Sequence, residues 1–322
     1  MNILLPFSKA VVNCTPCTNG ITSILATDMD RFQNVIWENY IKIVYGVAPY
    51  SAPVGGFADV YNWENYNCLT VTSQPREFGN LDEVKEKLVN ELSLNHYVYT
   101  GYDRYYLPIC ENHINHDLMI YGVNTEQNVF ICADFIEQKY TSFEMDIESV
   151  CTAILNYSHD YPREIAMDDV HIISINEDYS NPPLNISKIL KSLQETVSTN
   201  ALGDSTNPRY GFSFFDHLIE LVEGPPVLFD LTVAFHLICE HIKLMLYRVR
   251  FLQTKNIIIP QDVLQELTEL FRSSVGMRNY YMKLCILQKK QENAKKMGAA
   301  IRLLKDRYKV VLLQIIDVLK QK

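Results

Sequence analysis

The 322-residue chain has no apolar run approaching the ~18 residues that a membrane-crossing helix needs. No internal repeat or low-complexity tract is visible, and only 12 Gly and 13 Pro are present, which excludes a collagen-like fibre. With 48% apolar and 21% charged residues, the composition is not that of a disordered chain, and the length suffices for a large core without disulfide staples. The opening MNILLPFSKAVVNC lacks a basic stretch ahead of its apolar residues, and Pro6, Ser8 and Lys9 interrupt them. It does not read as a signal peptide. A cytoplasmic location is expected, with the eight cysteines as free thiols.

Basic charge is also scarce outside one segment. Residues 277–322 hold 12 Lys/Arg against 3 Asp/Glu, a net of +9, whereas the other 276 residues hold 17 against 35, a net of −18. A basic body, which general nucleic-acid binding would favour, is absent. The basic segment reads as a solvated helix face or as a docking surface for an acidic protein.

At ~150 residues per domain the length suggests two domains, and the pattern changes character midway. The first half mixes helices with short strands. Helical spacing covers 17–28, 31–46, 81–94 and 146–155, and strand-like runs cover 96–102, 117–121, 129–134 and 170–175. From Asn185 on, every segment reads as helix: 186–197, 212–222, about 230–253, and from Pro260 to the end with breaks expected near Gly276 and Gly298. The run EDYSNPPLN at 177–185 marks the boundary. The expectation is an α+β domain over 1–178 and an all-helical domain over 179–322. In the last helix Met297, Ile301, Leu304, Tyr308, Val311, Ile315 and Val318 form a heptad seam, suited to packing in a bundle or to a homodimer.

The segment HDLMIYGVNTEQNVFICAD (116–134) permits a register calculation. A hairpin symmetric about Thr125 sets His116 opposite Asp134, Leu118 opposite Cys132 and Ile120 opposite Phe130. Opposed side chains share a face, so Asp134 can accept the imidazole N–H and fix its tautomer. A nucleophile for such a pair is available in NCTPCTNG, where Cys17 follows Pro16 at a helix start and Cys14 precedes it by three. Helix N-termini stabilise thiolates. The other cysteines lie in apolar surroundings and read as core thiols. Zinc held by Cys14, Cys17, His113 and His116 is disfavoured, because residues three apart on a strand face opposite ways. No metal or cofactor is expected.

Taken together, Cys17 at a helix start, the run GYDRYYLP, the run HINHDLMIYGVN and the strand ending in ADF resemble the butirosin-biosynthesis protein H family. The matching residues are Asp103, Tyr105, Tyr106, Leu107, Pro108, His113, His116, Gly122 and Asp134. The resemblance also takes in CEHIKLMLYRVRFL (239–252), similar to a helix of relatives encoded beside peptide-antibiotic synthetases. It implies a papain-like cysteine-protease fold for the first domain, with Cys17 as nucleophile, His116 as base and Asp134 as orienting acid. It further implies acyl transfer or thioester hydrolysis on a carrier-protein-bound acyl or peptidyl group in nonribosomal-peptide or other specialised-metabolite biosynthesis. An amine or water would be the acceptor. The alternative is an inactive relative serving as an accessory binding protein. The Gln that papain-like enzymes carry ahead of the Cys is missing and Asn13 is the only nearby amide, which favours acyl transfer over peptide hydrolysis. Asn13, Cys14, Asp103, Tyr105 and His113 are expected around the substrate, with Asp103 either bracing the loop to His113 or lining the cleft.

Overall fold

A computed structural model describes the chain apart from residues 48–52, 58–62, 138, 159–168, 199–208 and 226–230. The fold is α+β, and two compact units divide it: Met1–Val35 with Asn62–Asn181, and Ile36–Tyr61 with Pro182–Lys322. The later break falls inside EDYSNPPLN. The expected contiguous division at 178/179 did not foresee that residues 36–61 pack with the C-terminal unit.

The first unit is built on an antiparallel sheet. Its strands are β1 (Asn2–Leu4), β4 (Leu69–Pro75), β5 (Tyr97–Asp103), β6 (Asn115–Asn124), β7 (Val129–Ile136), β8 (Lys139–Asp146) and β9 (Asp169–Ile175). Their order is β4-β9-β5-β6-β7-β8, with β1 also pairing with β6. β5 and β6 are buried along almost their whole length, so both sheet faces are covered. α1 (Pro16–Leu25) lies over one face, where Gly20 meets the Met119 side chain. α3 (Leu81–Ser93) and α4 (Ile147–Leu155) also pack on β5 and β6 or β7, and Cys151 of α4 lies near Cys132 of β7. Local chemistry sets the helix starts. Thr15 caps α1 with Pro16 in the first turn, and Asp146 caps α4. At α3, Asn80 accepts from Glu83 N while Glu83 reaches back to Gly79 N at 2.8 Å, a reciprocal cap.

The β6–β7 hairpin departs from the expected register. Ile120 faces Cys132 and Met119 faces Ala133; after a bulge at Tyr121, Gly122 faces Ile131 and Val123 faces Phe130. The Asn124 carboxamide accepts from the Glu126 and Gln127 amides and moves the turn off centre. Up to Ile120 the slip is by two residues, so those side chains keep their face; past the bulge it is by three, and Gly122 to Asn124 change face. Gly122 belongs to backbone packing, since a Cβ there would stand 2.9 Å from the Ile3 carbonyl of β1.

The second unit is not all-helical. It contains a small antiparallel sheet, β10-β2-β3, from Ile43–Val47 (β2), Pro53–Phe57 (β3) and Arg209–Tyr210 (β10). The helix expected over 31–46 ends early: α2 spans Met29–Glu38, and the β-branched run at 43–47 becomes β2. The stop comes from far along the chain. The buried Arg248 guanidinium donates to the Trp37 carbonyl at 2.7 Å and the Asn39 carbonyl at 2.6 Å, satisfying carbonyls at the end of α2.

Among the described residues, five α-helices complete this unit: α5 (Ile186–Val197), α6 (Ser213–Glu223), α7 (Thr232–Thr254), α8 (Gln261–Ile286) and α9 (Ala294–Leu319). Neither Gly276 nor Gly298 breaks a helix. The break lies at 287–293, where Gln288 takes φ +55° and Lys289 N returns to the Leu284 carbonyl, a left-handed C-cap made without glycine. The seam of α9 is buried from Met297 to Ile315, and α9 packs on α5, α6 and α8 of its own unit. Of the two roles the seam suits, bundle packing is the one it takes within this unit. No described helix is long and apolar enough to cross a membrane.

Candidate functional site

Strand parity sorts the candidate side chains. β5 and β6 pair without a bulge, setting Tyr99 opposite Met119, Gly101 opposite Asp117, Tyr102 opposite His116 and Asp103 opposite Asn115. Opposed residues share a face, and neighbours along a strand alternate. Tyr99, Asp103, Asn115, Asp117 and Met119 therefore lie on the α1 face, whereas Tyr102, His116, Cys132 and Asp134 lie on the other.

On that second face, His116 Nδ1 stands 2.9 Å from Asp134 Oδ1, as the sequence led one to expect. The two are diagonal rather than direct partners, a spacing that long side chains bridge. Asp134 is fully buried and also accepts from the Tyr102 hydroxyl at 2.5 Å, from Arg104 at 3.0 Å and from the Phe135 amide at 2.6 Å. Burial pulls the His116 imidazole downward, but the charge and hydrogen bond of Asp134 outweigh it and hold its pKa above the ordinary value. The Tyr102 phenol is pushed well up by burial and by the same carboxylate. His116, Arg104 and Asp134 thus share one buried electrostatic network, with the His116 side chain only 6% exposed.

Cys17 is on the α1 face and does not join this pair. The Gly20–Met119 contact fixes α1 there, and Cys17 lies one turn toward the N-terminus, beside Tyr99 and Asp117. The Tyr99 hydroxyl donates to Asp117 at 2.6 Å. The Cys17 thiol is raised far above its ordinary pKa, chiefly by complete burial and further by the Asp117 charge; the Tyr99 hydroxyl opposes this. Desolvation thus overrides the helix-terminus effect that suggested a reactive thiolate.

A second His–Asp pair stands on the α1 face. Asp103, buried at the end of β5, lies 2.6 Å from His113 Nδ1 and accepts the amides of Tyr105 at 3.1 Å and Ile114 at 3.2 Å. It therefore braces the loop to His113, one of its two expected roles. The His113 ring stacks on Tyr105 at 4.1 Å and is 36% exposed, six times the exposure of His116. α1 runs in the same direction as β6, Gly20 over Met119 and Cys17 near Asp117. The segment that leads into α1 runs back alongside it, with Ser8 bonded to Ser23, Val12 to Thr22 and Cys14 to Asn19. Cys14 is half-buried, and Asn19 fixes it by accepting from Cys14 N and donating to Asn13 Oδ1, both at 2.8 Å.

The sequence reading missed Asn19, Tyr99, Asp117, Tyr102 and Arg104. Alternation through GYDRYYLP carried a usable signal: it sends Tyr102 and Asp103 to opposite faces. His113 and His116 are engaged by carboxylates on opposite faces, and no group of three His, Cys, Asp or Glu converges as a metal site among the described residues. No protein-family model matches the chain, and no curated protein matches it either.

Proposed function

We propose that the chain is a cysteine-dependent acyltransferase or thioesterase acting on an acyl or peptidyl group held as a thioester by a carrier protein, in specialised-metabolite biosynthesis. The observation that carries this reading is the one-third-exposed His113, oriented by the buried Asp103 on the sheet face that α1 covers, the helix that also holds the half-buried Cys14 through Asn19. The resemblance to the butirosin protein H family, with its papain-like fold, supports the reaction class. It assigns Cys17, His116 and Asp134; we instead assign Cys14, His113 and Asp103, since the buried Cys17 lies beside Tyr99 and Asp117 on the face opposite His116. In the reaction, His113 Nε2 takes the thiol proton as sulfur attacks the thioester carbonyl carbon. The carbonyl carbon–sulfur bond of the donor breaks, and its thiolate leaves with that proton. An amine or water then attacks the acyl-enzyme and frees the enzyme thiol.

The test is intact-mass detection of an acyl-enzyme after mixing with a simple acyl thioester. Wild type and Cys17→Ser should carry the adduct, and Cys14→Ser should not. Loss in Cys17→Ser alone would return the assignment to the resemblance. An adduct on neither thiol would support the second reading, an inactive accessory binding protein, which the neutral, buried Cys17 favours.

A further inference from the structure

In the second unit, α6, α8 and α9 enclose a cavity of about 290 Å³. At ~30 Å³ per water that is room for about ten water molecules. Its floor is apolar, from Leu221 and Val222 of α6, Leu284 of α8 and Met297 of α9. Its rim is polar and sits on the turn after α8, where the left-handed Gln288 brings Gln288, Lys290 and Gln291 to the opening. The thiol of Cys285 lines the wall and is half-buried. The one charged side chain that lines it among the described residues is Lys290; the nearby acid Glu223 is already paired with Arg302.

We propose that this cavity binds a small anionic amphiphile, a short-chain aliphatic carboxylate, with its chain on the leucine–methionine floor and its charge at Lys290. A greasy recess gains by removing a hydrocarbon chain from water, and a lysine rim favours an anionic head. A sugar or nucleotide would leave hydroxyls unpaired against the floor, which is costly. The site is independent of the thiol chemistry of the first unit.

Cys285 provides the readout. The full-length protein is labelled briefly with iodoacetamide, and labelling at Cys285 is mapped by mass spectrometry with octanoate, octanol or inorganic phosphate present. Octanoate should slow labelling of Cys285 at least fivefold, octanol less, and phosphate not at all. Lys290→Glu, a change at an exposed position, should remove most of the octanoate effect and leave that of octanol. Leu221→Phe, which fills the floor, should remove both. If Leu221→Phe fails to fold, the wild-type and Lys290→Glu results still decide. No protection by octanoate, equal protection by octanol, or protection by phosphate alone would each overturn the proposal.

Discussion

Replacing Asp134 by Ala should unfold the first unit far more readily than replacing His113 by Ala, while the latter should do more harm to acyl transfer. Asp134 is fully buried and accepts from His116, Tyr102, Arg104 and the Phe135 amide. Its removal leaves a guanidinium and an imidazole facing each other without their common anion. Breaking a buried ion pair from one side costs about 3–5 kcal/mol, a large part of the ~5–15 kcal/mol that holds a typical domain together. His113 is one-third exposed, and its loss leaves Asp103 with two backbone donors, so the cost should be near the ~1 kcal/mol of a single hydrogen bond. Urea unfolding of both variants gives the stabilities, and single-turnover transfer from an acyl thioester, measured where each variant remains folded, gives the activities. A folded Asp134→Ala protein destabilised by less than ~1 kcal/mol yet devoid of transfer would refute the reasoning. The His116–Asp134 pair would then be the working one.

Three further outcomes are expected. Iodoacetamide at mildly alkaline pH should label Cys14 well before Cys17, because burial and the Asp117 charge hold Cys17 as a neutral thiol; mapping that finds Cys17 first would contradict the site geometry. His241 is buried with Nε2 on the Ile41 carbonyl at 2.7 Å and Nδ1 on the Tyr308 hydroxyl at 2.9 Å, and desolvation lowers its pKa to about 4. Below pH 6.5 the unfolded chain takes a proton that the folded one refuses, so about 3 kcal/mol should be lost between pH 6.5 and 4; His241→Gln should flatten this part of the stability–pH curve, and an unchanged curve would sink the assignment. Finally, Gln at Lys289, Lys290, Lys295 and Lys296 should slow transfer from a carrier-bound donor in a salt-sensitive way and leave a small thioester unaffected, because long-range attraction acts on association. Equal rates with both donors would make the segment a solvated helix face only.

Much of this protein is written locally. The span of α5 was readable to the residue, and α3 and α4 to within one residue, because caps and 3.6-residue spacing are properties of neighbouring residues. The heptad seam of α9 announced its own burial. Even the His116–Asp134 pair was legible despite a wrong register, since a two-residue slip preserves the face. What the local pattern does not contain is the identity of distant partners. α2 stops where Arg248, more than 200 residues on, caps its carbonyls, and the segment that follows becomes β2 and β3, of which β2 pairs with β10. β1, β4 and β8 are short or polar enough to show weak alternation alone, and they exist because neighbouring strands offer them hydrogen bonds. The surroundings of Cys17 were decided in the same way. Sequence placed Cys17 at a helix start, but only packing determined that α1 covers the face opposite His116 and that Tyr99 and Asp117 surround the thiol. Which side of a sheet a helix covers depends on the summed burial of both faces, a quantity that no single segment carries.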